Sequence, residues 1–313
     1  WLKISFILRF PVLPIAMRLA AATAAVVWGG FPAPFSRELS QSVEGGDVCI
    51  ARAMLRRFAA LPDPATPVNG SCPFVAEDEQ LVKQFQRGQK QEETGVFDEA
   101  VAKGVVACCA RDGYRDSGAS AGSLGYLYKI HIIAQQNRSI QQTGRLLDKD
   151  NKLVMTFTAR LHGIRSDGTE QPWPDYGDGD YGLSEFAGLG NSVTGLIEAD
   201  LNSPEDDPKS FGPYGVNRAV RGLQGNAKVL LPHLRDGILV HTGEWPGWTE
   251  DKAMPNSLGC IHVWPAEVKR IEQELLKLGV VERKNPMTGK DYPYKPQGLL
   301  SIEEVDPPAL VVV

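Results

Sequence analysis

Basic clusters are missing from this chain, and its charge balance is slightly acidic. Its 33 Lys and Arg residues are outnumbered by 38 Asp and Glu residues, which gives a formal net charge of −5. A chain of this kind does not attract nucleic acid through bulk charge, so no nucleic-acid partner is expected. Apolar residues make up 42% and charged residues 23% of the 313 positions. These fractions are typical of globular proteins, and the length is sufficient for two domains.

The sequence also lacks an uninterrupted apolar run that is long enough to span a membrane. Residues 19–36 carry no charge, but they fall short of the ~20 apolar residues that a span needs, and Pro32 interrupts the end of the run. A basic start followed by an Ala-rich stretch is typical of a secretory signal, so residues 1–36 are predicted to be a signal peptide or hydrophobic leader. A membrane anchor is the alternative. Because the first residue is Trp, the chain is processed, a fragment or read from an incomplete frame, and Met17 is a candidate start.

Cysteine is scarce, and its distribution is uneven. Cys49, Cys72, Cys108 and Cys109 lie close together, whereas Cys260 stands alone far downstream. In a secreted chain this pattern predicts two disulfides in a small N-terminal module and one free thiol. A bridge between the adjacent Cys108 and Cys109 is strained, so two pairings stay open, each joining Cys49 to one of these two and Cys72 to the other.

The segment before residue 117 predicts a compact module of three helices. Apolar residues recur at helical spacing over 47–60 and 78–87, and a third helix is predicted to follow an N-cap at Asp98. The order LVKQFQR … ETGVFDEAVAKGV resembles the second half of a peptidoglycan-binding-like domain over about thirty residues. Residues 37–116 are therefore predicted to form a helical module of this type. A core of this size is marginal by itself, which gives the disulfides a physical reason.

The amino-acid composition changes after the Gly/Ser-rich stretch 117–125, which is predicted to be a linker. Residues 166–192 are rich in Gly, Asp and aromatic residues and are predicted to be a long loop. A helix is predicted over 265–278. Residues 126–285 are assigned to a catalytic domain, and 286–313 to a C-terminal extension that packs on it. Strands rich in β-branched and aromatic residues are predicted at 126–134, 152–163, 193–202, 237–243 and 298–305.

The chemistry is concentrated around His241 and Cys260. His241 ends an apolar run, and Cys260 follows 19 residues later in a Gly-Cys turn that is expected to precede a helix. Cysteine attacks carbonyl groups as a thiolate, and a neighbouring imidazole can take its proton and return one to the leaving group. Gly259 leaves the backbone open, so N–H groups of the turn are candidates for stabilising an oxyanion. A thiol nucleophile, an imidazole base and backbone N–H donors are together sufficient for acyl transfer.

These residues resemble the L,D-transpeptidase (YkuD-like) family, in which a His at a strand end precedes a Ser/Thr-His-Gly-Cys-Ile/Val-Arg signature. The matching stretch is Ser-Leu-Gly-Cys-Ile-His at 257–262, with His241 upstream and a Thr-Gly strand at Thr194. The resemblance implies an α+β chain in which a small three-helix module is followed by a β-rich, L,D-transpeptidase-like β-sandwich with one C-terminal helix. The catalytic residues that it implies are Cys260, His241, Gly259, Ser257 and His262.

Two positions depart from the family signature. Leu258 replaces the His before Gly, and His262 replaces the Arg after Cys-Ile. The first change removes a polar group near the thiol, and the second exchanges a fixed charge for a titratable one. The nucleophile, base and Gly remain, which favours a divergent subfamily over an inactive one. A zinc site built from His233, His241, Cys260 and His262 is disfavoured. The Cys-x-His spacing is too short for a common structural zinc site, and no CxxC motif is present.

A substrate-binding set is expected around the nucleophile. Trp245 and Trp248 lie in the loop between His241 and Cys260, where an aromatic wall can hold a peptide stem, although core packing is the alternative. Arg218 is a candidate for holding a substrate carboxylate, with a surface ion pair as the alternative. The predicted set is Thr242, Trp245, Trp248, Tyr214, Arg218 and Asn256.

The resemblance implies peptidoglycan peptide chemistry. The thiol attacks a stem-peptide carbonyl and expels D-Ala, and the thioester passes to an amine or to water. No cofactor, metal or stable membrane span is expected, the location is secreted or extracytoplasmic, and the oligomeric state is left open. The rivals are a cell-wall-degrading cysteine peptidase or carboxypeptidase and a binding protein without turnover. Sequons at Asn69 and Asn137 are compatible with a eukaryotic secreted chain.

Overall fold

The chain is α+β, as predicted. Six α-helices and ten β-strands occur in the ranges that the structure describes. None of the helices among these residues combines the length and the apolarity needed to cross a membrane. Most of the predicted leader, most of the loop 166–192, and Trp248 lie outside the described residues. The computed structural model describes residues 30–59, 61, 70–111, 113–135, 137–138, 140–163, 185–188, 190–231, 234–245, 254–286 and 292–305.

The predicted three-helix module is present at the N-terminal end of the described chain. Its helices each bury an apolar face against the others, and a short antiparallel ribbon joins the segment before the first helix to the segment before the second. The elements are β1 (Glu44–Gly45), α1 (Gly46–Phe58), β2 (Cys72–Pro73), α2 (Ala76–Gly88) and α3 (Glu99–Arg111).

Local sequence signals explain how α3 begins and how it packs. The Val101 N–H donates to the Asp98 carboxylate at 2.8 Å, which is the predicted N-cap bond. Gly104 lies against α2, because a Cβ at this position would approach the Phe85 ring to 3.2 Å. A glycine inside a helix costs about 1 kcal/mol relative to alanine, and here it permits close approach of the two helices.

The disulfide differs from both predicted pairings. Cys49 is bonded to Cys72, with their Cα atoms 5.2 Å apart. Pairing of β1 with β2 aligns Gly45 with Cys72 and so carries Cys72 to the first turn of α1. The predictions that joined Cys49 or Cys72 to Cys108 or Cys109 are therefore wrong. The sequence could not show this pairing, because it depends on a two-residue ribbon.

The C-terminal part of the chain forms a sheet of eight strands that closes on itself, rather than the expected sandwich of two sheets. The strand order is β10-β3-β4-β5-β9-β8-β7-β6. The β10–β3 and β8–β9 pairs are parallel, and the other pairs are antiparallel. The strands are β3 (Tyr128–Gln135), β4 (Gln142–Asp148), β5 (Leu153–Arg160), β6 (Gly195–Asn202), β7 (Val216–Gln224), β8 (Leu239–His241), β9 (Ile261–Val263) and β10 (Gly298–Val305).

Three helices accompany this sheet. The predicted C-terminal helix is α6 (Pro265–Lys277), which buries Val268, Ile271 and Leu275. Two short helices that were not predicted, α4 (Pro208–Phe211) and α5 (Gly225–Leu230), flank β7.

Strands β4, β7 and β9 were not predicted from the sequence, because the residues at their buried positions are not all apolar. In β4, Gln142 and Gly144 are buried. A Cβ on Gly144 would overlap the Phe157 ring of β5, so the aromatic side chain fills the space that the glycine leaves. In β7, Asn217 and Arg218 are buried although both are polar. Both faces are covered over the first half of β7 and over β9, where alternation between apolar and polar residues is then no longer required.

The helical module packs on the closed sheet. Buried apolar residues of the two parts form one continuous cluster. Arg57 at the end of α1 donates to the Asn226 side chain of α5 at 2.8 Å. The predicted linker is also bound to the sheet, because Lys129 of β3 donates to the Ala119 carbonyl at 2.8 Å and Ala121 is fully buried.

The N-cap of α3 generates a stability prediction. Asp98→Ala removes the acceptor for the Val101 N–H, so the free energy of unfolding should fall by about 1 kcal/mol. Asp98→Asn retains a side-chain acceptor and serves as the matched control. Urea unfolding measures both variants, and equal destabilisation by Asn and Ala would contradict a capping role.

Candidate active site

The parallel pair of strands β8 and β9 positions the two predicted catalytic groups. His241 is the last residue of β8 and pairs with His262 of β9. Cys260 directly precedes β9, so a strand of three residues separates it from helix α6. The expected helix does follow the Gly-Cys turn, with this short strand between them. The intervening strand matters because it aligns the cysteine with β8.

The register of β8 and β9 determines how far apart His241 and Cys260 lie. Two residues along a strand span about 6.6 Å, and neighbouring strands lie about 4.8 Å apart. Cys260 stands two residues before the partner of His241, so extended geometry puts the two Cα atoms about 8 Å apart. His241 and His262 face the same side of the sheet, because their rings meet edge to face with centroids 4.8 Å apart.

Hydroxyl groups hold the Gly-Cys turn from two sides. The Cys260 carbonyl accepts from the Ser257 hydroxyl at 2.6 Å and from the Ser192 hydroxyl at 3.1 Å. The Gly259 N–H donates to the Ser257 Oγ at 3.1 Å. Ser257, predicted as a catalytic residue from the signature, therefore contacts the backbone on both sides of the thiol. Ser192 contributes from the segment before β6 and was not predicted.

A buried arginine lies behind this turn. Arg235, which precedes β8, is only 2% exposed. Its guanidinium donates to the carbonyls of Glu185, Ala187, Gly190 and Asn191. Sequence reasoning missed this residue, because nothing in its local context distinguishes it from a surface arginine.

The Cys260 thiol is in its neutral form at physiological pH. Its Sγ donates to the Gly237 carbonyl over 3.7 Å, on the side of β8 where the strand begins. Burial raises the pKa of the thiol to about 11, against the lowering effects of the Leu239 N–H, Arg235 and Arg218. The loss of solvation outweighs the two positive charges, so the thiolate is a minor form.

His241 is also neutral, and its ring orientation is fixed. Its Nδ1 lies 2.6 Å from the Thr242 carbonyl, which only accepts, so the proton resides on Nδ1 and Nε2 carries the basic lone pair. Burial lowers the pKa of His241 to about 3, and the neighbouring His262 adds to the effect. The Phe211 ring of α4 covers the imidazole with centroids 5.1 Å apart.

His262 forms the far side of this cluster. Its Nδ1 lies 2.7 Å from the Pro255 carbonyl, and burial lowers its pKa to about 4, with a further contribution from the Arg160 charge. The Trp245 ring packs on it with centroids 5.0 Å apart. The structure thus brings the predicted residues His241, His262 and Trp245 into one aromatic cluster.

The other predicted substrate-binding residues have partners within the chain. Asn256 accepts from Arg160 at 2.9 and 2.5 Å. Arg218 donates to Glu205 at 2.6 Å, and this ion pair is almost buried rather than lying on the surface as the alternative had it. Thr242 is buried and presents its carbonyl to His241. Tyr214 is half-buried against the core.

Each of the two central groups has a partner other than its proposed counterpart. The thiol donates to the Gly237 carbonyl, and the imidazole donates to the Thr242 carbonyl. The thiol is directed toward the start of β8, whereas the imidazole stands at its end.

Comparison with known proteins provides little further information. No protein-family model matches the chain, and no match to a curated protein is found. One solved structure with limited similarity is a fused Zn-dependent amidase/peptidase/peptidoglycan-binding domain-containing protein from Clostridium acetobutylicum. It is 14% identical, with a TM-score of 0.23, over 85% of this chain and 99% of that one. A TM-score this low does not establish a common fold. Within the described ranges of this chain, no three His, Cys, Asp or Glu residues are grouped to hold a metal ion.

The buried thiol generates a prediction about alkylation. The iodoacetamide reaction of Cys260 in the native protein should accelerate about tenfold per pH unit from pH 7 and continue to rise toward pH 11. Peptide mapping by mass spectrometry isolates this cysteine from the others. In denaturant the rate profile of the same thiol should have its midpoint near pH 8.5, the ordinary pKa of a cysteine. A native profile that reaches its plateau below pH 8 would show a preformed thiolate instead.

The two buried histidines generate a prediction about stability. Their folded-state pKa values lie below the unfolded value of about 6.5, so the unfolded chain binds the extra protons. Stability is therefore complete above pH 6.5 and declines as pH falls toward 4. Between pH 7.5 and 5, each histidine should reduce the free energy of unfolding by about 2 kcal/mol. Urea unfolding of His262→Gln should show a weaker pH dependence than the parent. An equal dependence in both would refute this assignment.

Proposed function

We propose that this protein is a cysteine acyltransferase of the L,D-transpeptidase type that acts on peptidoglycan stem peptides. The observation that supports the proposal is the parallel register of β8 and β9, which aligns a half-buried thiol with a histidine whose Nε2 is held in its basic form. The sequence signature around Cys260 supports the choice of substrate class.

The proposed reaction proceeds in two stages. The Cys260 sulfur attacks the carbonyl carbon of the stem-peptide bond while its proton passes to the Nε2 of His241. The resulting tetrahedral intermediate collapses, the C–N bond breaks, and the departing amine of D-Ala takes the proton from the imidazole. The thioester is then attacked by an amine of a second stem or by water, while the same nitrogen removes the proton from this nucleophile. The C–S bond breaks, and the departing Cys260 sulfur takes this proton back from the imidazole.

Both groups are neutral at rest, which favours concerted proton transfer over a preformed ion pair. In the proposed reaction the thiol exchanges the Gly237 carbonyl for the His241 Nε2 as its hydrogen-bond acceptor. An oxyanion that forms at the turn competes with the Ser257 hydroxyl for the Gly259 N–H. Substrate binding therefore has to rearrange the turn before this donor is available.

A binding protein without turnover is the second candidate, and one observation favours it. The thiol donates to a backbone carbonyl, and its pKa is raised by burial, as expected of a structural cysteine. Hydrolysis in place of transfer remains within the first proposal, since it differs only in the acceptor.

An extracytoplasmic location is part of the proposal. The Cys49–Cys72 disulfide supports it, because structural disulfides persist in oxidising compartments and are rare in the cytosol.

A carbapenem is the sharpest probe of the proposed chemistry, because its strained amide resembles the stem carbonyl and its opened form is released slowly from thiols of this family. Intact-mass spectrometry should show one adduct per chain, mapped to Cys260 and missing in Cys260→Ala. His241→Ala should slow adduct formation more at pH 7 than at pH 10, because hydroxide generates the thiolate without a base.

Incubation with defined muropeptides then separates the alternatives. Cross-linked dimers indicate transfer, and shortened stems indicate hydrolysis. Neither product and no carbapenem adduct, from a folded protein whose Cys260 still reacts with iodoacetamide, would favour the binding protein without turnover. An adduct that forms equally fast in His241→Ala at pH 7 would remove His241 as the base.

A further inference from the structure

Arg235 is an unusual residue for the interior of a protein. Its side chain is buried, and the hydrogen bonds it makes within the described chain go to four carbonyl oxygens rather than to a carboxylate. Burial of a guanidinium costs several kcal/mol unless it is compensated. Carbonyl dipoles satisfy the N–H groups but leave the positive charge itself without a bonded counter-ion. A charge retained in this way requires a function beyond packing.

The guanidinium lies directly against the residue that precedes the proposed nucleophile. A Cβ built on Gly259 would overlap the Arg235 Nη2 and lie 2.8 Å from its Cζ. Gly259 also has a φ of +106°, which favours glycine. The turn that presents Cys260 is thus shaped to accept this arginine at van der Waals contact. The same guanidinium ties down the segment that ends at Asn191, next to the hydroxyl of Ser192 that bonds the Cys260 carbonyl.

The other charged groups around the thiol are neutralised or more distant in the sheet. Arg218 of β7 is paired with Glu205 at 2.6 Å, and these two have opposite effects on the thiol. Arg160 of β5 lies beyond β9 and donates to Asn256. His241 is neutral because burial lowers its pKa to about 3.

Two further groups complete the surroundings. His262 stands at the position where the resembled family has an arginine, and burial lowers its pKa to about 4, so it carries no charge at neutral pH. The carboxylate of Glu185 accepts from Thr194 and from Asn226. Burial lowers the pKa of the Arg235 guanidinium, and the Glu185 carboxylate raises it through space, so Glu185 is the counter-charge that favours the protonated guanidinium.

We propose that Arg235 is a positioning residue for Cys260, which supports the Gly259–Cys260 turn from behind and supplies the positive charge that stabilises the thiolate. It acts through the backbone and through space, without touching the substrate. The inference rests on the proposed function only in taking Cys260 as the nucleophile. The charge that the family signature places two residues after the cysteine is here delivered from the segment before β8.

The test measures the pH profile of Cys260 alkylation in the full chain, with peptide mapping to isolate this thiol. Arg235→Gln retains hydrogen-bond donors but loses the charge, so the midpoint of the profile should move up and the rate at pH 8 should fall about tenfold for each unit of movement. Arg235→Lys retains the charge and should restore most of the rate. A purely structural role would move the melting temperature without moving the midpoint.

Arg52→Gln is the matched control. It removes a guanidinium that is bonded to the buried Asp78 in the helical module, and it should lower stability while leaving the alkylation profile unchanged. An unchanged midpoint in folded Arg235→Gln would overturn the inference. A shift of equal size in Arg52→Gln would also overturn it, since the effect would then reflect general destabilisation.

A measurement on the unaltered chain decides the matter if Arg235→Gln fails to fold. One arginine side-chain Nε resonance should follow the Cys260 titration by NMR and stay flat in Cys260→Ser. The lack of any such resonance would sink the proposal. These readouts use no acyl substrate, so they separate the two proposals. A midpoint that depends on Arg235 in a protein without turnover contradicts only the proposed function, whereas turnover with an unchanged midpoint contradicts only the role of Arg235.

Discussion

The parallel register of β8 with β9 sets the position of every group in the candidate site. Pairing of His241 with His262 sets Cys260, which precedes β9, beside Leu239 at the start of β8, although Cys260 follows His241 by 19 residues along the chain. A shift of one residue would turn His262 to the opposite face of the sheet. The hydroxyls of Ser257 and Ser192 and the guanidinium of Arg235 all act on the turn that this register creates.

Burial governs the electrostatics of the site. Loss of solvation keeps the Cys260 thiol protonated against two nearby positive charges. It also keeps the imidazoles of His241 and His262 unprotonated, and there the neighbouring charges of His262 and Arg160 act in the same direction. A buried neutral pair avoids the high cost of an ion pair in a medium of low polarity. In the proposed reaction, the proton is transferred only when substrate attack provides the driving force.

The helical module contributes to the support of the site as well as to the core. Arg57 of α1 donates to Asn226, whose amide donates to the Glu185 carboxylate. The carbonyl of Glu185 in turn accepts from Arg235, which lies behind the Gly259–Cys260 turn. This chain of contacts joins the surface of the module to the floor of the turn, so the two predicted domains share one packed structure.

Local patterns in the sequence were sufficient for the α+β class, the three helices of the module, the cap at Asp98, the helix that begins at Pro265 and the strands with clear apolar character. They also indicated the thiol and the imidazole, because a histidine at a strand end and a Gly-Cys turn are features of neighbouring residues. The Cys49–Cys72 bond, the closure of the sheet and the burial of Arg235 were decided by tertiary structure alone. These features depend on strand pairing and coverage between distant segments, and the polar residues that fill β7 carry no local mark of their burial.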